Sequence, residues 1–243
     1  MGNAIKDRYN YESLRKLALD IKSVYSDFQT DGFLQATIDE TWEARELKDR
    51  ITRISENLGK YLPADFETAV GIMDQIVMNY GSWLDNYAGF FPGFVELYGR
   101  DEANWDISMA ALARYTQYAS SEFAVRWFII NHEERMMKQM YAWSKDENEC
   151  IRRLASEGCR PALPWGQALT GFKKDPAPIL PILRQLKADS SLHVRKSVAN
   201  NLNDISKTHP NLVMELAKDW YGKNAYTDWI VKHGCRTLLK KGS

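Results

Sequence analysis

This chain of 243 residues has no long apolar run and no leader-like N-terminus, and both absences exclude classes of protein. No stretch approaches the roughly 18 consecutive apolar residues that a membrane-spanning helix needs. The first eight residues, Met-Gly-Asn-Ala-Ile-Lys-Asp-Arg, do not form a secretory signal peptide. The sequence therefore predicts a cytoplasmic protein.

Cysteine and histidine are scarce, with three and four residues respectively. Cys150, Cys159 and Cys235 are odd in number and lack the close CxxC pairing of zinc sites, which predicts free thiols. The histidines are scattered, and His132-Glu-Glu-Arg departs from the two-histidine motif of zincin proteases. No metal site is expected.

Alternating strand patterns are absent, whereas apolar residues recur at helical spacing along the chain, so the expected fold class is all-α. Asn10 and Asp65 stand where helix N-caps are expected, and Gly59 and Pro63 are expected to end the helix that begins near Leu47. Residues 81–83 and 89–93 are expected to break the pattern, and a later helix to be interrupted near Asn131. No heptad seam is present, so a monomer is the default expectation.

The balanced total of 32 basic and 32 acidic residues conceals an asymmetry. Residues 1–121 contain 12 Lys and Arg against 19 Asp and Glu, whereas residues 122–243 contain 20 against 13. A basic second half suggests an anionic partner, with nucleic acid the first candidate. The alternative is that the lysines only solvate helix surfaces.

A weak repeat runs through the basic half. Aligning Val125, Ile151, Val194 and Ile230 gives spacings of 26, 43 and 36 residues, and the last two are close to the roughly 40-residue period of HEAT-type helix pairs. Pro210 is expected to begin a further helix. Stacked helix pairs form a solenoid whose concave surface suits an extended ligand.

One predicted helix of this half carries two stripes. Its apolar stripe should face the core and consists of Val194, Val198, Leu202 and Ile205. Lys196, Asn200 and Asp204 lie on another side and place a carboxylate among basic and amide groups. An earlier helix repeats this design, with Arg153 and Glu157 paired at i,i+4.

Three segments resemble the HEAT-like DNA alkylation-repair glycosylases, and within them the AlkC branch: residues 149–166, 193–207 and 228–240. Residues 91–99 (Phe-Pro-Gly-Phe-Val-Glu-Leu-Tyr-Gly) and 120–126 (Ser-Ser-Glu-Phe-Ala-Val-Arg) also look like that branch. The resemblance covers most of the chain and is dense after residue 90.

The resemblance implies a HEAT-like solenoid with a concave groove that binds double-stranded DNA. It implies excision of cationic alkylated bases such as 3-methyladenine and 3-methylcytosine by hydrolysis of the N-glycosidic bond, without metal or organic cofactor. Residues 1–243 are expected to form a single domain, with an acidic helical half at 1–121, a basic repeat half at 122–243 and no appended immunoglobulin-like domain. The competing hypotheses are a non-catalytic HEAT scaffold for protein partners and a damage-binding protein.

The resemblance also implies the catalytic groups. A carboxylate beside the sugar would stabilise an oxocarbenium-like cation, and Asp204 is the first choice, Glu157 the second and Glu122 the third. Trp165 could lay its ring against the deoxyribose or the cationic base. We expect these four side chains to converge near the middle of one groove.

Each candidate has a structural alternative. Asp204 could pair with Lys207 or Lys196 on a solvated face, and Glu157 could be only the partner of Arg153. Glu122 could be a first-turn residue favoured by the helix dipole, or the partner of Arg126. Trp165 could be a core residue.

Basic residues of the second half are expected to hold backbone phosphates without sequence preference. They are Arg152, Arg153, Arg160, Lys173, Lys174, Arg195, Lys196, Lys232, Lys240 and Lys241.

Overall fold

The structure is a computed structural model that describes residues 5–81 and 88–241, except for the side chain of Lys241. These residues form helices joined by short connections and contain no β-strand, so the all-α prediction is confirmed. None of the described helices combines the length and the apolar character needed to cross a membrane. The chain divides into two compact units, Met1–Ala124 and Val125–Ser243.

The first unit holds six α-helices in its described part. They are α1 (Tyr11–Val24), α2 (Thr30–Thr37), α3 (Leu47–Tyr61), α4 (Phe66–Ile76), α5 (Phe90–Tyr98) and α6 (Trp105–Tyr115). Asn10 caps α1 through a capping box with Ser13, and Asp65 caps α4 by accepting from the Thr68 N–H, as predicted. Buried aromatic side chains fill much of the core.

Helix α3 ends at Tyr61, between Gly59 and Pro63, the two residues that were predicted to end it. Gly59 itself lies inside the helix, and a Cβ atom there would lie 2.0 Å from Cζ of Tyr98. The glycine therefore leaves room for the Tyr98 ring of α5 where it crosses α3.

The predicted break at residues 89–93 is wrong, because α5 begins at Phe90. Residues 82 and 83 of the other predicted break lie outside the described residues. Pro92 lies in the first turn of α5, where its missing N–H removes no helical hydrogen bond. Gly93 allows α5 to approach α3, since a Cβ atom there would lie 2.6 Å from Oγ of Ser55.

The second unit holds nine α-helices in its described part. They are α7 (Val125–Asn131), α8 (Glu133–Trp143), α9 (Glu149–Glu157), α10 (Thr170–Lys174), α11 (Leu180–Leu186), α12 (Leu192–Ser206), α13 (Pro210–Trp220), α14 (Ala225–Gly234) and α15 (Arg236–Lys241). The interruption expected near Asn131 separates α7 from α8 at His132, and Pro210 begins α13 as expected.

Helix pairs repeat along the second unit. The members of the pairs α8/α9, α11/α12 and α13/α14 pack against each other, and α12 packs between α9 and α14. The stripe Val194, Val198, Leu202 and Ile205 is buried in this packing, as predicted. The repeat therefore places successive helices, and their polar residues, side by side.

Candidate active site

Two carboxylates and one guanidinium are buried together where α9 meets α12. Arg160 donates from Nη1 to Oε1 of Glu157 at 2.6 Å and from Nε to Oδ2 of Asp204 at 2.9 Å. All three side chains are 8% exposed or less. We refer to Glu157, Arg160 and Asp204 as the buried charge cluster.

Capping residues determine where α9 and α12 start, and the side-chain amide of Asn201 joins the two helices. Asn148 caps α9 and Ser191 caps α12, each accepting from a backbone N–H of the first turn. Asn201 of α12 donates from Nδ2 to the carbonyl oxygen of Ser156 at 2.8 Å. These contacts bring the end of α9 beside Asp204.

Two further cations flank the buried charge cluster. Lys207 Nζ lies 3.0 Å from Oδ1 of Asp204, and Arg153 Nη2 lies 3.8 Å from Oε1 of Glu157. Asp204 therefore pairs with Lys207, and Glu157 pairs with Arg153, as the structural alternatives stated. That alternative also placed Asp204 on a solvated face, and this part is wrong, because Asp204 is only 5% exposed.

Electrostatics hold the Arg160 guanidinium in its charged form. Burial by itself lowers the pKa of Arg160, but the carboxylates of Glu157 and Asp204 outweigh it and raise the pKa above the ordinary value for arginine. The cluster thus offers a fixed cation between two carboxylates in a site with little water.

The histidine and the thiol nearby are not suited to acid–base or nucleophilic work at neutral pH. Burial lowers the pKa of His193 to about 4, and the neighbouring Arg153 adds to the shift, so the imidazole is neutral. Burial raises the pKa of Cys159 to about 12, so its thiol stays protonated. In the described residues, no three His, Cys, Asp or Glu side chains gather as metal ligands.

Trp165 presents its ring to solvent from a strained turn. The residue is 74% exposed, so the core-packing alternative is wrong. Its φ of 59° is in the left-handed region, which a bulky side chain rarely adopts. Such a conformation costs on the order of 1–3 kcal/mol, and it persists only where the surroundings enforce it.

Glu122 lies in the first unit and is 9% exposed. The other three catalytic candidates lie in the second unit, where Glu157 and Asp204 share Arg160 and Trp165 follows Arg160 by five residues. The catalytic role of Glu122 stays a prediction.

The basic residues expected at phosphates differ in their availability. Four of them are exposed: Lys174, Lys196, Lys232 and Lys240. Lys173 and Arg153 are half-buried. The side chain of Lys241, which ends α15, lies outside the described residues.

Three arginines of that set already have partners within the protein, and their contacts with phosphates stay a prediction. Arg160 belongs to the buried charge cluster. Arg152 pairs with both carboxylate oxygens of Asp189 at 2.7 and 3.1 Å and also donates to backbone carbonyls. Arg195 stacks on the Tyr226 ring, 4.2 Å from its centroid. The sequence shows that these residues are basic, but it does not show which neighbouring side chains they contact.

Two supporting residues were missed by the sequence reasoning. Asn201 joins α12 to α9, and Arg126 donates to three backbone carbonyls after α9. Both residues lie in segments that resemble the glycosylase family, Arg126 in 120–126 and Asn201 in 193–207, but nothing in the sequence indicates the carbonyls they bind.

The chain is similar to a known protein family and to a known bacterial protein. The family model "DNA alkylation repair enzyme" matches residues 101–238, which contain Glu122, Glu157, Trp165 and Asp204. The uncharacterized protein YhaZ of Bacillus subtilis (strain 168) is 47% identical over 239 residues, covering 98% of this chain and 65% of that protein. The chain thus spans slightly less than two thirds of this relative.

Two solved structures are similar. One is the Pseudomonas fluorescens alkylpurine DNA glycosylase AlkC bound to DNA containing an abasic site analog, with 40% identity and a TM-score of 0.93, covering 100% of this chain and 67% of that chain. The other, smu.31 from Streptococcus mutans UA159, has 19% identity and a TM-score of 0.50 over 95% of this chain and 98% of that chain, which shows a shared fold only. The helical-repeat fold is confirmed.

Proposed function

Because the chain belongs to the DNA alkylation repair enzyme family, we propose that it is a DNA glycosylase that removes alkylated bases. The observation that carries the proposal is the buried charge cluster, which holds two carboxylates in a site with little water. The likeness to an alkylpurine DNA glycosylase along the whole chain supports it.

The proposed substrates are cationic bases such as 3-methyladenine and 3-methylcytosine in double-stranded DNA. A base that already carries positive charge is a good leaving group, so the enzyme needs little acid catalysis. Its main task is to stabilise the positive charge that develops on the sugar as the N-glycosidic bond breaks. Water then adds to the sugar, and the product is an abasic site in an intact strand.

Asp204 is the carboxylate that we propose faces the developing cation, with Glu157 second and Glu122 third. Arg160 holds the first two in fixed orientations, so no reorganisation is needed when the charge develops. The exposed ring of Trp165 would lie against the deoxyribose or the cationic base, a contact worth roughly 0.5–2 kcal/mol. Neither a metal nor an organic cofactor takes part in this proposal.

Exposed lysines would provide the electrostatic grip on DNA. Lys174, Lys196, Lys232 and Lys240 have the exposure that phosphate contacts need. Contacts of this kind carry no sequence preference, which suits an enzyme that inspects any sequence.

The test is base release from methylated duplex DNA in the presence of EDTA, with 3-methyladenine and 3-methylcytosine measured separately. Strand cleavage by alkali then reports the abasic sites. We expect release of at least one base and alkali-dependent cleavage. Tight binding to damaged DNA without release would support the damage-binding alternative, and neither binding nor release would support the scaffold; both outcomes refute the glycosylase.

A further inference from the structure

A single buried guanidinium holds the segment that follows α9. Arg126 of α7 is 1% exposed and donates from Nη1 to the carbonyl oxygens of Gly158 and Arg160, both at 3.0 Å. Its Nε donates to the carbonyl oxygen of Gln167 at 2.5 Å. The three acceptors bracket the non-helical segment between α9 and α10, which we refer to as the 158–169 segment.

The other backbone hydrogen bonds of this segment are local. Its first residues donate back to α9, from the Gly158 and Arg160 N–H groups, and the Leu169 N–H donates to the Pro161 carbonyl at 3.2 Å. The side chain of Arg160 ties the segment to α9 and α12. Arg126 supplies the three hydrogen bonds that connect the segment to α7.

The 158–169 segment carries two side chains on which the proposed reaction depends. Arg160 bridges Glu157 and Asp204, and its own carbonyl is one of the oxygens that Arg126 holds. Trp165 is exposed with a left-handed backbone, two residues before the Gln167 carbonyl that Arg126 also holds. A strained conformation persists only where the surroundings enforce it.

We infer that Arg126 is a positioning residue, which acts through the 158–169 segment to orient Arg160 and Trp165; this inference rests on the glycosylase function proposed above. Three N–H donors in a planar fork can bind three carbonyls at once, whereas a lysine ammonium at that place is a single point. Burial lowers the pKa of Arg126 to about 10, so the guanidinium remains charged at neutral pH. The charges of Asp204 and Glu157 attract it.

The first test is Arg126→Lys, which keeps the positive charge and removes the fork. Misplacement by about 1 Å can reduce a rate by about 10²-fold, and we expect a fall of roughly tenfold or more in single-turnover base release. DNA affinity should change less than about twofold, since Arg126 is buried and does not face DNA. Hydrogen exchange of the amides of residues 158–169 should accelerate.

Arg50→Lys is the matched control. Arg50 is 2% exposed and donates to the carbonyl oxygens of Arg45, Lys6 and Tyr9, all in the first unit. The substitution removes a comparable fork at a comparable cost in stability. We expect its base release and its exchange in residues 158–169 to match those of the native chain.

A double-mutant cycle separates positioning from general stability. In a Trp165→Ala background the effect of Arg126→Lys should shrink from about tenfold to about threefold or less, because part of what Arg126 orients is gone. Equal effects in both backgrounds, or equal losses in Arg126→Lys and Arg50→Lys, would overturn the inference while leaving the glycosylase intact. A native chain that releases no base refutes the proposed function and the inference with it.

Discussion

In the first unit the ion pair of Arg114 and Asp74 leaves 43% and 30% of the side chains exposed, whereas in the second unit Arg160 and Asp204 pair at 8% and 3%. Both arginines use two nitrogens toward carboxylate oxygens at 2.6–3.1 Å. Similar chemistry thus occurs in two very different dielectric environments.

The difference shows that the second unit buries charged side chains, which is energetically unfavourable by itself. Removing an ion from water costs several kcal/mol, which an ion pair offsets only when its hydrogen bonds are well aligned. A surface pair such as Arg114 with Asp74 is worth about 0–1 kcal/mol and needs no such offset. Burial of two carboxylates with one guanidinium is therefore weak evidence for a gain in stability, and it agrees with the catalytic role proposed above.

The largest expected difference between the units follows from removing each arginine. Arg160→Met leaves two buried carboxylates without their shared cation, and we expect a loss of about 3–5 kcal/mol in the free energy of unfolding. Arg114→Met should lose about 1 kcal/mol or less. Urea unfolding of the two variants measures this, and equal losses would mean that the second-unit cluster is not effectively buried.

Asp204→Asn keeps the shape of the side chain and removes its charge. We expect single-turnover base release to fall by about 10²-fold or more, roughly 2.7 kcal/mol, while DNA affinity holds or rises because repulsion of phosphates is relieved. Asp74→Asn is the matched change in the first unit and should leave the rate unaltered. A fall in rate that merely follows lost folding or binding would make Asp204 structural.

Trp165→Gly tests whether the strained turn serves function. Glycine adopts positive φ without strain, so the free energy of unfolding should stay the same or rise by up to about 1 kcal/mol. Base release should fall by about tenfold, because a stacking face is worth less than a charge. Tyr11→Ala, which removes a 54% exposed ring of the first unit, should not affect release. Lower stability with unchanged release would contradict the assignment.

The smallest expected effect concerns single exposed lysines. Lys196→Gln or Lys232→Gln should each reduce the slope of log affinity against log salt by about 0.9, the value for one phosphate contact. Lys60→Gln, on the acidic first unit, should leave the slope unchanged. Fluorescence titrations with duplex DNA at several salt concentrations measure it, and equal slopes for all three variants would make the lysines only solvating groups.

The features predicted from sequence are those that depend on a few adjacent residues. Caps at Asn10 and Asp65, the start of α13 at Pro210 and the buried stripe of α12 all follow from local hydrogen bonding or helical periodicity. The all-α repeat follows from the same periodicity. The packing role of Gly59 could not be predicted, because it depends on a ring 39 residues away in the chain.

The candidate site could be predicted only in part. Periodicity shows which side of a helix is polar, but it does not show which neighbour a charged side chain meets after packing. Arg152 and Arg160 were predicted to contact phosphates and Arg126 was considered as a partner of Glu122, yet each of them binds a group between 32 and 44 residues away. Only the packing of α7, α9 and α12 determines those pairs.

The three cysteine thiols bear on how this chain would meet methylating agents, which would create its proposed substrates. Such electrophiles react with thiolates far faster than with thiols. Burial raises the pKa of the half-buried Cys150 and of the buried Cys159 and Cys235, that of Cys159 to about 12. The packing around the three thiols therefore keeps the reactive thiolate form scarce.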